Sequence, residues 1–162
     1  MKKFRLFLLA ALLIVSITGL AKAQTIACDP LNGPCFEAQS VYNNSGNTLD
    51  VGDVVVWDIG SSTGDNDNYV TTTPTTGTFL VAGIVYPIAI AASSSGSIVT
   101  YGEVAVDTVT DGTAPAAGSA LCTSGTAGAA RACAGTGAQT SFSFGHATAV
   151  SSSGSVTAFV NP

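Results

Sequence analysis

Punctuation is what most limits the fold. From Val54 onward, short runs rich in Val, Ile, Thr and Phe are stopped one after another by clusters of Gly, Pro and Ser. Val54-Val55-Val56-Trp57-Asp58-Ile59 ends at Gly60-Ser61-Ser62, and the Thr-rich stretch Asn68 to Thr73 ends at Pro74. Phe79 to Tyr86 is apolar on both faces before Pro87, as a strand at the centre of a core would be. After the Ser93-Ser94-Ser95-Gly96 turn, Ser97 to Tyr101 and Glu103 to Thr110 read as one long strand kinked or bulged at Gly102. Its second half alternates, with Val104, Val106 and Thr108 on one face and Ala105, Asp107 and Val109 on the other. Further strands are expected near 119–124, 129–134, 140–149 and 154–160, each pair separated by a turn signal. Leu, Lys, Glu and Met, which build surface helices, are scarce, whereas Ser and Thr supply 35 of the 139 residues after position 23. The pattern predicts an all-β fold, a compact antiparallel β-sandwich or barrel with an N-terminal extension.

The first 23 residues follow a different rule. A basic start (Met1-Lys2-Lys3-Phe4-Arg5), an apolar run from Leu6 to Leu20 and the small-x-small triplet Ala21-Lys22-Ala23 make the three parts of a secretory signal peptide, with cleavage expected before Gln24. Thr25-Ile26-Ala27-Cys28 resembles a lipoprotein signal only faintly, because Thr is a poor first residue, so ordinary cleavage is preferred. Removing the signal leaves Arg131 as the only cation against ten carboxylates, a net charge of −9. Nucleic acid and anionic membrane surfaces both need clustered Lys and Arg, so neither is an expected partner. No later stretch has the roughly 18 consecutive apolar residues of a spanning helix.

Residues 24–49 carry Cys28, Pro30, Gly33, Pro34 and Cys35 with little periodicity and read as a stapled arm ahead of a domain at 50–162. An even cysteine count in an exported chain implies disulfides, and four cysteines allow three pairings. Cys28 and Cys35 flank a Pro- and Gly-rich loop that they could close. A hairpin turning at Ala127-Gly128 would set Cys122 directly opposite Cys133. The expected bridges are therefore Cys28–Cys35 and Cys122–Cys133, either of which could join subunits, and the spacing does not suit zinc.

Candidate chemistry is sparse. His146 is the only histidine and lies inside an expected strand, and no lysine follows the signal, so an enzyme is not expected. A carboxylate-pair hydrolase would have to draw on Glu37, Glu103 and eight Asp residues that nothing gathers at a cleft. Asp65-Asn66-Asp67-Asn68 is the densest oxygen cluster, which makes Asp65 and Asp67 a calcium candidate, but it lacks the spaced Gly and terminal Glu of an EF-hand loop and also suits a plain turn. No other cofactor is expected. Asn43-Asn44-Ser45 is a glycosylation acceptor pattern. Trp57, Tyr42, Tyr69, Tyr86 and Tyr101 could stack sugar rings, yet Trp57 sits in a Val-rich run that suits a core, which leaves no obvious aromatic platform.

Residues from about 50 to 162 resemble the phage capsid cement, or head-decoration, proteins. The matching features run in order: Gly52-Asp53-Val54-Val55-Val56, Val81-Ala82-Gly83-Ile84-Val85, Thr100-Tyr101-Gly102, Ala117-Gly118-Ser119-Ala120-Leu121, the Gly128 turn, Phe144-Gly145-His146-Ala147, and the ending Gly154 to Pro162. The resemblance implies a β-barrel-like unit that works by multivalent assembly without catalysis. The chain departs from the family in its signal peptide, its cysteines and arm, and Ser119 where Asp is common. Those departures move the expected setting from a capsid to an extracellular polymer or surface layer. The expected function is a secreted structural subunit that forms a homo-oligomer or polymer (fibre, tube or coat) through strand-edge and arm contacts. The alternatives are a monomeric binding domain for carbohydrate or a host surface, and a virion decoration protein.

Overall fold

The β-branched runs do form strands, and each closes a wall around one of two cores. The computed structural model describes residues 25–28 (by their backbone), 35–60, 68–73, 75, 78, 80–109, 115–133, 142–150 and 154–162. In chain order the strands are β1 (Thr25–Cys28), β2 (Cys35–Asn43), β3 (Val54–Trp57), β4 (Tyr69–Thr71), β5 (Val81–Val85), β6 (Ser95–Asp107), β7 (Ala120–Thr123), β8 (Ala130–Ala132), β9 (Gly145–Val150) and β10 (Ser155–Val160). They make one sheet in the order β1-β2-β4-β3-β5-β6-β10-β9-β7-β8, and β2 also pairs with β6. That extra pairing closes β2, β4, β3, β5 and β6 into a barrel, with every neighbour antiparallel except β2 and β4. Val41, Val55, Val70, Ala82, Val85 and Ile98 fill it, and Leu49 and Ile90, bridged to each other, join the same cluster. Beyond Gly102, β6 leaves this ring to pair with β10, and the sheet continues through β9 and β7 to β8. Ala130 then bridges Thr108, so the second half also curls back on β6.

The two cores share walls. Val54 and Val56 of β3, with Val81 and Ile84 of β5, point into a second cluster with Val104, Val106, Leu121, Phe144, Val156 and Val160. Their neighbours Val55, Ala82 and Val85 point into the barrel. Every residue of β5 is buried, as its two-faced apolar sequence requires. The expected all-β class and the single long β6 kinked at Gly102 both hold. Gly102 is buried at φ +116°, and a Cβ there would lie 2.7 Å from the Cys35 carbonyl oxygen. Only glycine lets β2 approach so closely at that backbone angle.

The arm reading of 24–49 fails from Cys35 onward. β2 is a barrel stave paired with β6 along seven residues, and Val41, Asn43 and Leu49 are buried. Its apolar signal was weak because one of its core positions is held by a polar side chain. Asn43 Nδ2 donates toward the carbonyls of Asn47 (2.6 Å), Ile90 (2.9 Å) and Ala91 (3.1 Å), and its Oδ1 accepts from the backbone N–H and hydroxyl of Ser45. The glycosylation pattern is thus a clasp between two loops, and the fold has no room for a sugar on that nitrogen.

The two halves meet at a seam between Asp50 and Val54. Gly52 and Asp53 bond to Val85 through Gly52 N–H to Val85 O and Val85 N–H to Asp53 O, Asp107 N–H donates to Gly52 O, and Val54 N–H donates to Gly128 O at 2.7 Å. Gly128, at φ +81°, lies so close that a Cβ would come within 2.5 Å of Asp53 Oδ1. The chain does turn at Ala127-Gly128, where Ala129 N–H donates to Thr126 O at 3.2 Å, but the strands on either side are not in the expected register. Thr123 opposes Ala130 and Cys122 opposes Arg131, a register two residues off the expected one, because Ser124 closes a longer loop onto Ala129. The Cys122–Cys133 bridge forms nonetheless, diagonally across the pair with a Cα separation of 5.1 Å. Burial pushes the Asp53 and Asp107 carboxyls above the ordinary value of 3.8, and the nearby Asp50 charge pushes the same way on both.

Three outcomes follow. Gly102→Ala should lower stability in urea by about 2–4 kcal/mol, since left-handed strain and overpacking act together. Asn43→Ala, which orphans two or more buried carbonyls, should lose about 3 kcal/mol in the same assay. A carboxyl raised in the folded state binds more protons there than in the unfolded chain, so its contribution is full below 3.8 and is lost as pH rises through the raised value. Asp107→Asn should therefore gain stability over the parent as pH climbs from 3.8 to 7, and a parent-to-variant difference that stays flat with pH would refute the seam's role.

Candidate functional site

A solvated sheet face is usually polar, and this chain has ample Ser and Thr to make it so. The outer face of β2, β6, β10 and β9 is instead aromatic at its centre. The inward residues of β6, β9 and β10, Val104, Val106, Ala147, Val156, Ala158 and Val160, are in the core. Strand alternation then turns their neighbours outward. The register sets Glu103 opposite Phe159, Phe159 opposite His146 and His146 opposite Ala120, a row across four strands, and it sets Glu37 opposite Tyr101 on the next rung along β6. Tyr101 meets Phe159 edge-on at 5.0 Å, and His146 stacks on the other side of Phe159 at 5.7 Å with 25° between the rings. Tyr101 is 45% exposed, and His146 is exposed too.

Glu103 is held in place. The hydroxyl of Thr148 donates to Glu103 Oε1 at 2.6 Å and lies 3.2 Å from the Thr157 carbonyl, which ties β9, β10 and β6 together. Thr148 is the residue skipped where β9 shifts register against β10, between Thr157 and Ala158. The bulge aims its hydroxyl across β10 at Glu103. A ridge of rings beside a fixed carboxylate can take cations, ring faces or planar groups, and side chains held in place lose little entropy when a partner arrives.

The other sequence candidates lie apart. Trp57 is half-buried against the barrel core, as expected. Tyr42 and Tyr69 pair with each other, and Tyr86 packs edge-on against Phe36. Ser119 caps a local turn by accepting from Ala116 N–H. Asp65 and Asp67 lie outside the described residues, and among those described no three His, Cys, Asp or Glu residues are grouped to hold a metal. Cys28 opposes Cys35 in the β1–β2 register, and Cys35 is disulfide-bonded. A shallow groove of about 430 Å³ runs between Pro87–Ala89 and Ser95–Ser97, and its lining residues include no ionisable side chain. Sequence reasoning did not find the aromatic ridge, because Tyr101, His146 and Phe159 come from three strands. The signal that could have found it was parity: Phe159 alternates with the core residues Ala158 and Val160.

Comparison with known proteins identifies the architecture. No protein-family model and no curated protein matches the chain. Among solved structures, the fold is similar to the N base of the head fiber protein gp8.5 of bacteriophage phi29, with a TM-score of 0.51, 17% identity, and coverage of 76% of this chain and 94% of that one. At this identity the likeness concerns the fold, which the chain therefore shares with a phage structural protein.

Proposed function

We propose that the chain is an exported, non-catalytic structural subunit, a base- or decoration-type β-module that builds or coats an extracellular assembly. The observation that carries this reading is the shared fold, because the match spans 94% of the head-fiber base and so includes nearly the whole of that module. Two further features support export: the signal-like residues 1–23, and the Cys122–Cys133 bridge, a bond that persists in oxidising compartments. Contact between subunits would use strand edges. β1 is the last strand of the sheet order at its end, and an edge strand offers backbone donors and acceptors to an incoming strand.

The test is electron microscopy of the protein purified from culture medium, beside images of the producing surface. Filaments, tubes, rings or a regular coat are expected. Isolated particles at all protein concentrations, calcium levels and redox conditions, with a bare surface, would overturn the reading.

A further inference from the structure

We propose that the outer face of β2, β6, β10 and β9 docks a lysine- or arginine-bearing protein surface and not a second copy of this chain. The inference deepens the structural-subunit reading and rests on it, because it names what such a subunit attaches to.

The composition of the face is the first argument. The chain has only two glutamates and one histidine; Glu103 and His146 flank Phe159 in one cross-strand row, and Glu37 faces Tyr101 on the next rung. Eight of the ten carboxylates lie elsewhere, but here two of them stand beside an exposed tyrosine and an exposed histidine. Tyr101 and His146 are exposed at either side of Phe159, and Glu103 is held by Thr148. An arginine or lysine entering this row can lie against a ring while its charge meets a carboxylate already in position. Tyrosine and arginine are also the residues on which interfaces concentrate their binding energy.

Charge excludes the second copy. Beyond residue 23 a copy offers one cation, Arg131, on β8 directly opposite Cys122, and its Nε is buried. Two such faces brought together would oppose Glu37 and Glu103 to their own likenesses, a juxtaposition that disfavours association. Copies can still meet through backbone edges, which carry no such penalty.

The experiment is an amide NMR titration of the full exported chain with an acetylated tetra-arginine peptide, compared with tetra-glutamate and a neutral chito-oligosaccharide. Tetra-arginine should move the amides of Tyr101, Glu103, His146 and Phe159 ahead of all others. Glu103→Gln alone should weaken that response, and Glu103→Gln combined with Tyr101→Ser should weaken it by about tenfold or more. Asp58→Asn, outside this row, should leave it unchanged. Shifts centred on Asp50, Asp53 and Asp107, or spread evenly over all carboxylates, would overturn the proposal. So would a response of the ridge to the sugar and not to the peptide, or ridge shifts that grow with protein concentration alone. Filaments or coats in micrographs together with a silent ridge would remove this partner and leave the structural reading standing.

Discussion

Burial of β3 and β5 on both faces is the constraint from which the rest of the architecture follows. A strand whose two faces are apolar cannot stand at a surface, so each must be covered twice. The barrel covers one side, with Val55, Ala82 and Val85 turned inward. The β7–β8 hairpin and the β6–β10–β9 sheet cover the other, over Val54, Val56, Val81 and Ile84. Neither half is complete alone, and the chain folds as one body even though its sheet curls twice. The seam at Asp50 to Val54 lies just ahead of β3, where barrel, long strand and hairpin turn exchange backbone hydrogen bonds.

One strand has to serve both curls, and Gly102 makes that feasible. Before it, β6 is a barrel stave between β2 and β5; after it, β6 pairs with β10. The change of partner occurs at a residue without a Cβ, where the β2 backbone comes closest. Thr100 is skipped in the register with β2, since Tyr101 opposes Glu37 and Val99 opposes Ala38, and its hydroxyl donates to the Glu37 carbonyl at 3.4 Å. This local irregularity leaves Tyr101 facing outward beside Phe159. The geometry that closes the core is therefore the same geometry that assembles the exposed ridge.

Most strands could be read from the sequence because burial and turn chemistry agree in them. β3, β5, β6 and β10 fall where β-branched runs end at Gly, Pro or Ser, and the kink at Gly102 follows from a glycine inside an otherwise continuous strand. β2 could not be read, because Asn43 takes a core position that an apolar residue would have marked, and Glu37, Gln39 and Ser40 blur the alternation. The pairing of Cys122 with Cys133 was reachable, but its register was not. Gly128 is the turn residue that the sequence suggests, but it is also a contact surface for Asp53, a relation between residues far apart in the chain. The ridge was hidden for the same reason, since stacking across strands depends on register and not on any local motif.

The charge of the chain also bears on how such a module could join an assembly. Ten carboxylates against one cation beyond residue 23 leave no means of building repeated subunit contacts from salt bridges. Any contacts between copies would draw mainly on neutral groups, and strand edges are neutral by construction. Contacts to a cationic surface have the opposite requirement, and the only histidine and both glutamates are gathered on one rigid face that meets it. Edge and face are distinct parts of the same sheet, so lateral association of copies and attachment to an underlying surface need not compete. A module arranged this way can add neighbours along one direction while remaining anchored along another, which is the geometric condition for a coat as distinct from a free filament.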